Sequence, residues 1–165
     1  MDAVRRRTAL TLFSVASGAY ILDRVTKVWA EHTLPGDPID VIPGVITLRF
    51  TTNSGGAFSL FSSFPWFFVA VSAIIAVLIV VTSLRHTDLM VGSALGLVLG
   101  GAVGNLTDRL LRGAGALGEV VDFIDLHAWP VFNLADSAIV VGAGLLVLNS
   151  WRRERRANHA DGRDG

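Results

Sequence analysis

Two carboxylates, Asp122 and Asp136, stand in sequence too apolar for an unpartnered charge. Asp122 sits in VVDFI, and Asp136 lies between PVFNLA and SAIVVGAGLLVL. An ionisable group inside a hydrophobic span costs ~2.5–3.5 kcal/mol at a helix centre on insertion scales, and so needs a buried partner or a water-filled pocket. Asn105, Asp108, Arg109 and Asn133 share the stretch 100–148 with this pair. Two carboxylates brought together beside lipid repel each other and can share one proton near neutral pH. The ionised member then takes a proton from water while the protonated member polarises a carbonyl, the logic of aspartic proteases. Competing chemistries lack parts. The four histidines are scattered at 32, 86, 127 and 159 with no metal-ligand spacing, there is no cysteine, and neither GxSxG nor a phosphate-binding glycine loop occurs.

The elements that must position these groups read as a membrane bundle. The 165 residues are 52% hydrophobic and only 17% charged, against about 25% charged in ordinary soluble domains. Net charge is zero, so nothing suggests a nucleic-acid partner. Four spans are expected, at about 8–28, 64–84, 89–107 and 130–151. A signal peptide is the alternative for the first, but the apolar run continues into Asp23, Arg24 and Lys27 without a small-residue cleavage site. Phe64–Leu84 has the ~20 uncharged residues a helix needs to cross a bilayer. In the third span, glycines at 92, 96, 100 and 104 fall on one helix face and permit close contact with neighbouring helices. The segment 29–63 is punctuated by Pro35-Gly36-Asp37-Pro38 and Pro43-Gly44. Its run Val45–Thr51 alternates as a short strand, and Asn53-Ser54-Gly55-Gly56 reads as a turn. The fold class is therefore an all-α membrane protein, one integral domain over 1–165, with a small β-containing extracytoplasmic cap and a basic, disordered tail at 152–165.

Lys and Arg flanking the spans set orientation. Three lie at the N-terminus, one in the 85–88 turn and four in 152–156, all on one side of a four-helix arrangement, whereas the polar segments 29–63 and 110–129 hold only Arg49 and Arg112. Both termini are thus expected in the cytoplasm. Asp23, Asn53, Asn105, Asp108, Arg109, Asp122, Asn133 and Asp136 then converge at the outer membrane boundary. Several have ordinary readings. Asp23 with Arg24 and Lys27 reads equally as a solvated helix end, Asp108-Arg109 as a structural ion pair, Asn133 as a helix cap or interhelical glue, and Glu119, Asp125 and His127 as solvated loop residues.

Five blocks, LDRVTK (22–27), TTNSGGAF (51–58), GGAVGNLTDR (100–109), VVDFID (120–125) and FNLADSAI (132–139), resemble in order those of bacterial lipoprotein signal peptidases, the signal peptidase II family. The resemblance implies an aspartyl endopeptidase of the bacterial cytoplasmic (inner) membrane. It would cut diacylglyceryl-modified prolipoproteins on the N-terminal side of the lipidated cysteine, with its active site at the extracytoplasmic face. It places the catalytic dyad on Asp122 and Asp136, and makes Asp23, Asn53, Asn105, Asp108, Arg109 and Asn133 substrate-binding or supporting residues. Neither metal nor cofactor is implied. The partners are the lipidated substrates and membrane lipid, and a monomer suffices. The first outer segment would cover a groove open sideways to lipid. Gly56 departs from the alanine expected in the second block. Two rivals remain open at this level: a proton-coupled transporter, disfavoured by the absence of an internal repeat, and a non-catalytic scaffold, which would tolerate Asp→Asn at 122 and 136.

Overall fold

The structure is a computed structural model that describes residues 3–54, 65–112 and 118–161. Four long helices alternate with a small sheet: α1 (Ala3–Thr33), β1 (Ile39–Ile42), β2 (Ile46–Asn53), α2 (Pro65–Thr82), α3 (Leu89–Leu111), β3 (Val120–Asp125) and α4 (Leu134–Asp161), with a 3-10 turn over Ser83–Arg85. Three segments, Trp66–Arg85, Leu89–Leu111 and Leu134–Arg156, are long and apolar enough to cross a membrane. Their outward side chains support that reading: Val77, Leu78, Val81, Val140 and Val147 are each more than half exposed, an apolar surface that water does not tolerate in bulk. α1 has 31 residues, ample length for a fourth crossing, but Asp23, Arg24 and Lys27 interrupt its apolar run.

Helix ends follow local chemistry rather than the edges of the hydrophobic runs. α3 starts where Asp88 Oδ1 accepts from the backbone N–H of Met90 (2.8 Å), an N-cap that satisfies one orphan donor. It runs past the expected residue 107, carrying Asp108 and Arg109 on regular helix. α4 starts at Leu134, not at Pro130, because Phe132 is extended and pairs with Ile124 of β3. The expectation of a disordered tail is corrected: helix continues through 152–161, over a sequence of Arg, Glu and Ala that favours it. Arg153 there bonds Asp88 at 3.0 Å, tying α4 to the start of α3. Residues 162–165 lie outside the described residues.

The glycine stripe does what its spacing implies. A Cβ on Gly96 would stand 2.5 Å from the Leu12 carbonyl oxygen, and one on Gly100 2.5 Å from that of Ala16, so α1 and α3 touch backbone to backbone. Gly101 opens the opposite face of α3 to Ala135 of α4, and Gly142 returns the contact against Ala94. Leu12, Ala16, Ile79 and Leu99 fill the core beneath. α2 leans on α3 and leaves a gap towards α4. Gly100→Leu is expected to lower stability by ~1–3 kcal/mol or more, since helix backbone rather than a flexible side chain must move. Thermal unfolding in detergent measures it.

The cap is a three-stranded antiparallel sheet in the order β1-β2-β3. Pro43-Gly44 closes the β1–β2 hairpin, with Gly44 at φ 73° and Val45 N–H bonded to the Ile42 carbonyl, as a type II turn requires. The expected single strand at 45–51 is Ile46–Asn53, joined by two strands not foreseen. Phe123 of β3 packs with Ala30 and Leu34 at the end of α1, flanked by Leu48 and Phe50, so the cap sits directly on the bundle. Between β2 and β3 the register slips: Leu48 faces Ile124, but Thr51 faces Asp122, so Arg49 and Phe50 oppose Phe123 alone. This bulge shifts side-chain parity by one and puts Asn53 on the face that carries Asp122. The Asn53-Ser54 end of the expected turn is described; residues 55–64, the last part of the segment expected to cover the groove, lie outside the described residues.

Candidate active site

Asp136 is set by the start of α4. Asn133 is the N-cap: its Oδ1 accepts from Asp136 N–H at 2.9 Å, while Asp136 Oδ2 accepts from Asn133 N–H at 3.3 Å. This reciprocal capping box uses Asp where Glu is commoner, which holds the carboxylate against the helix end. A further orphan donor, Ala135 N–H, is taken by Asp23 Oδ1 at 3.0 Å. Asp122 is set by β3. Its Oδ1 accepts from Asn133 Nδ2 at 2.7 Å and its Oδ2 from Asn53 Nδ2 at 3.1 Å. Asn133, fully buried, therefore holds both carboxyl groups, that of Asp122 with its side-chain amide and that of Asp136 with its backbone N–H. Asn105 Nδ2 completes the group by donating to Asp136 Oδ1 at 2.8 Å.

Asn53, Asn105, Asp122 and Asp136 face a cleft of about 330 Å³ walled by the sheet, α3, Phe68 and Ser72 of α2, and Ile139 and Val140 of α4. Arg109 lines it too. Its Nη1 donates to the carbonyls of Ser54 and Gly118, both at 3.3 Å, and its guanidinium lies 5.1 Å from the Phe68 ring centre. It thus joins α3 to the end of β2, the approach to β3, and α2.

Five of the eight residues singled out, Asn53, Asn105, Asp122, Asn133 and Asp136, form one hydrogen-bonded group. Arg109 stands beside it. Asp23 and Asp108 do not line the cleft but lie fully buried behind it. Asp108 does not pair with its neighbour Arg109. It binds Lys27 at 2.9 Å, Arg112 at 3.0 Å, Arg24, and the N–H of Val121 at 3.3 Å, so it docks β3 onto the bundle. Asp23 is no solvated helix end; Lys27 lies 2.9 Å from its Oδ2, an ion pair outside hydrogen-bond geometry. Gly104 makes room for that carboxylate, since a Cβ there would lie 2.5 Å from Oδ2. Lys27, completely buried behind the site, is the contact-forming residue that reading the sequence missed. Its i, i+4 spacing from Asp23 was the available signal. Asp125 also differs from expectation: it is buried, accepts from Arg49 Nε at 2.6 Å, and that bond holds its carboxyl below the usual range. Glu119 is exposed as expected, and the exposed His127 bonds Thr47 at 3.0 Å.

Burial, and next the nearby Asp136 carboxylate, push the Asp122 carboxyl up to about 7. The folded value then exceeds the unfolded 3.8. Stability from this group is full below the unfolded value and is lost as pH rises through the folded one. Asp122→Asn is consequently expected to gain on the wild type, by on the order of a few kcal/mol, between about pH 4 and about pH 8. Melting temperatures of both proteins across that range check it.

Comparison with known proteins agrees with this architecture. A family model described as "Signal peptidase (SPase) II" matches residues 15–152. The lipoprotein signal peptidase of Geobacter metallireducens is 40% identical over 156 residues, covering 88% of this chain and 93% of that one. That of Rhodococcus jostii is 43% identical, covering 88% and 74%. A bacterial membrane enzyme structure determined by the in meso method at 2.3 Å superposes with a TM-score of 0.77 at 32% identity, covering 86% of this chain and 88% of that chain. With the family model spanning most of the sequence and the fold shared with a solved membrane enzyme, the chain belongs to the signal peptidase II family.

Proposed function

We propose that the protein is an aspartyl endopeptidase that removes signal peptides from diacylglyceryl-modified prolipoproteins, cutting on the N-terminal side of the lipidated cysteine. The observation that carries this reading is the pair Asp122 and Asp136, held across one cleft by Asn133 in a chain of the signal peptidase II family. Water lies between the two carboxyl groups and the scissile carbonyl. The ionised carboxylate takes a proton from the water, whose oxygen bonds to the carbonyl carbon, and the protonated carboxyl gives its proton to the carbonyl oxygen. On collapse the C–N bond breaks, one hydroxyl of the intermediate returns its proton to the ionised carboxylate, and the departing cysteine amine receives the proton of the other carboxyl. The chemistry uses the dyad and water alone, and one chain supplies every group.

The gap between α2 and α4 suits an apolar signal helix arriving from lipid, with Phe68, Ile139 and Val140 as its walls. The scissile bond must leave the helix to reach the dyad. On this proposal Asn53, at the end of β2, and Arg109, on α3, hold that extended backbone. In this reading α1 is the fourth crossing of the bacterial cytoplasmic membrane and both termini are cytoplasmic. The cap and dyad then face outward, at the depth where the diacylglyceryl chains meet the headgroups. Trp66 and Trp129, both about 60% exposed, mark that boundary. The test is incubation of the detergent-purified protein with a diacylglyceryl-modified prolipoprotein and mass determination of the products. The expected result is a new N-terminus at the modified cysteine. No cleavage, or cleavage elsewhere, overturns the proposal.

A further inference from the structure

Lys27 makes three contacts from a fully buried position on α1. Two are to carboxylates, Asp23 and Asp108, and alone would describe a counter-ion. The third reaches the site: Nζ donates to Asn105 Oδ1 at 2.8 Å. An ammonium has donors only, so the side of the Asn105 amide that faces it must be the carbonyl. The amide nitrogen is thereby turned towards Asp136 Oδ1, 2.8 Å away. Asn133 Nδ2, 3.2 Å from the same carbonyl, acts in the same sense, although its nearer acceptor is Asp122 at 2.7 Å.

We infer that Lys27 is a positioning residue for the dyad: acting through Asn105, it fixes the amide that donates to Asp136 and strengthens that donation. An amide whose carbonyl accepts from a cation is a better N–H donor, because hydrogen bonds in series polarise one another. The charged and titratable groups around Asp136 are Asp122 from β3, Arg109 from α3, and Lys27 behind Asn105 from α1. Lys27 is the cation that reaches Asp136 through a hydrogen-bonded chain. This inference rests on the proposed reaction, in which Asp136 is catalytic.

Lys27→Met alone strands Asp23, so the test uses Lys27→Met/Asp23→Asn, in which the amide at 23 still accepts from Ala135 N–H, with Asp23→Asn as control. With melting temperature close to the control, kcat is expected to fall about tenfold or more while KM stays within about twofold. The acidic limb of the kcat–pH profile should move to higher pH by about one unit. Infrared titration of the dyad carboxyls, identified by their change in Asp136→Asn, needs no substrate and should show the same displacement. A wild type that never cleaves, with the infrared displacement present, sinks the proposed reaction and leaves the positioning by Lys27 standing. A double variant with the control's kcat and an unmoved titration makes Lys27 a counter-ion only and overturns the inference. If the double variant does not fold, Asn105→Asp decides: it keeps an acceptor for Lys27 but offers no N–H to Asp136. Retained kcat in that variant overturns the inference equally.

Discussion

Asp136→Asn and Asp122→Asn should each give a folded protein whose kcat/KM on a lipid-modified prolipoprotein is lower by about 10³-fold or more. The amide matches the carboxylate in shape, but it can neither take a proton from water nor return one to the leaving amine. The variants also probe the surrounding donors. Asp136 accepts from Asn105 Nδ2 on one oxygen and Asn133 N–H on the other. An amide offers one carbonyl to these two donors, so one hydrogen bond is lost, at about 1–3 kcal/mol. Asp122 faces the same conflict between Asn133 and Asn53, offset at neutral pH and above by release of a buried carboxylate. Activity is therefore lost in both, while stability falls at 136 and depends on pH at 122. A non-catalytic scaffold has no reason to separate activity from stability in this way.

Asn133→Ala has the second-largest expected effect, because one side chain carries two duties. It caps α4, and loss of an Asn cap costs about 0.5–2 kcal/mol. It also donates to the Asp122 carboxylate, which without it loses its shortest hydrogen bond, 2.7 Å. We expect kcat to fall by about 10²-fold, with a lower melting temperature. Asn133→Asp divides the two duties. A carboxylate caps a helix as well as an amide does, yet it cannot donate to Asp122 and adds a negative charge beside the dyad. That variant should keep more of the thermal stability than Asn133→Ala and lose at least as much activity. Melting curves and initial rates on both variants check this.

The bundle was legible because its signals are local: about 20 apolar residues make a span, and glycines every fourth residue make a contact face. The meeting of Asp122 and Asp136 at one cleft was legible from the cost of a carboxylate in VVDFI and in NLADSAI, and the family blocks added the asparagines that bond them. What could not be read depended on pairing over long separations. Lys27 looks like a solvated charge until Asn105 and Asp108, from another helix, are placed against it. β3 is a short apolar run that periodicity cannot tell from buried helix, and only its pairing with β2 reveals that Asp122 is presented by a sheet. The bulge at Arg49-Phe50, which brings Asn53 onto the Asp122 face, leaves no mark in sequence. The extension of α4 through 152–161 was missed because charge and an approaching glycine suggested a tail, while continuity with a formed helix decides the matter.

That Asp122 and Asp136 perform the chemistry while other groups bind the substrate is the core of the proposed function. Its most direct test is capture of uncleaved, diacylglyceryl-modified prolipoprotein by immobilised Asp122→Asn/Asp136→Asn protein, compared with single-turnover cleavage by the wild type. The double variant is expected to bind the precursor with an affinity within about threefold of the wild-type KM and to release it intact. A double variant that still cleaves, or one that folds normally but no longer binds, contradicts it.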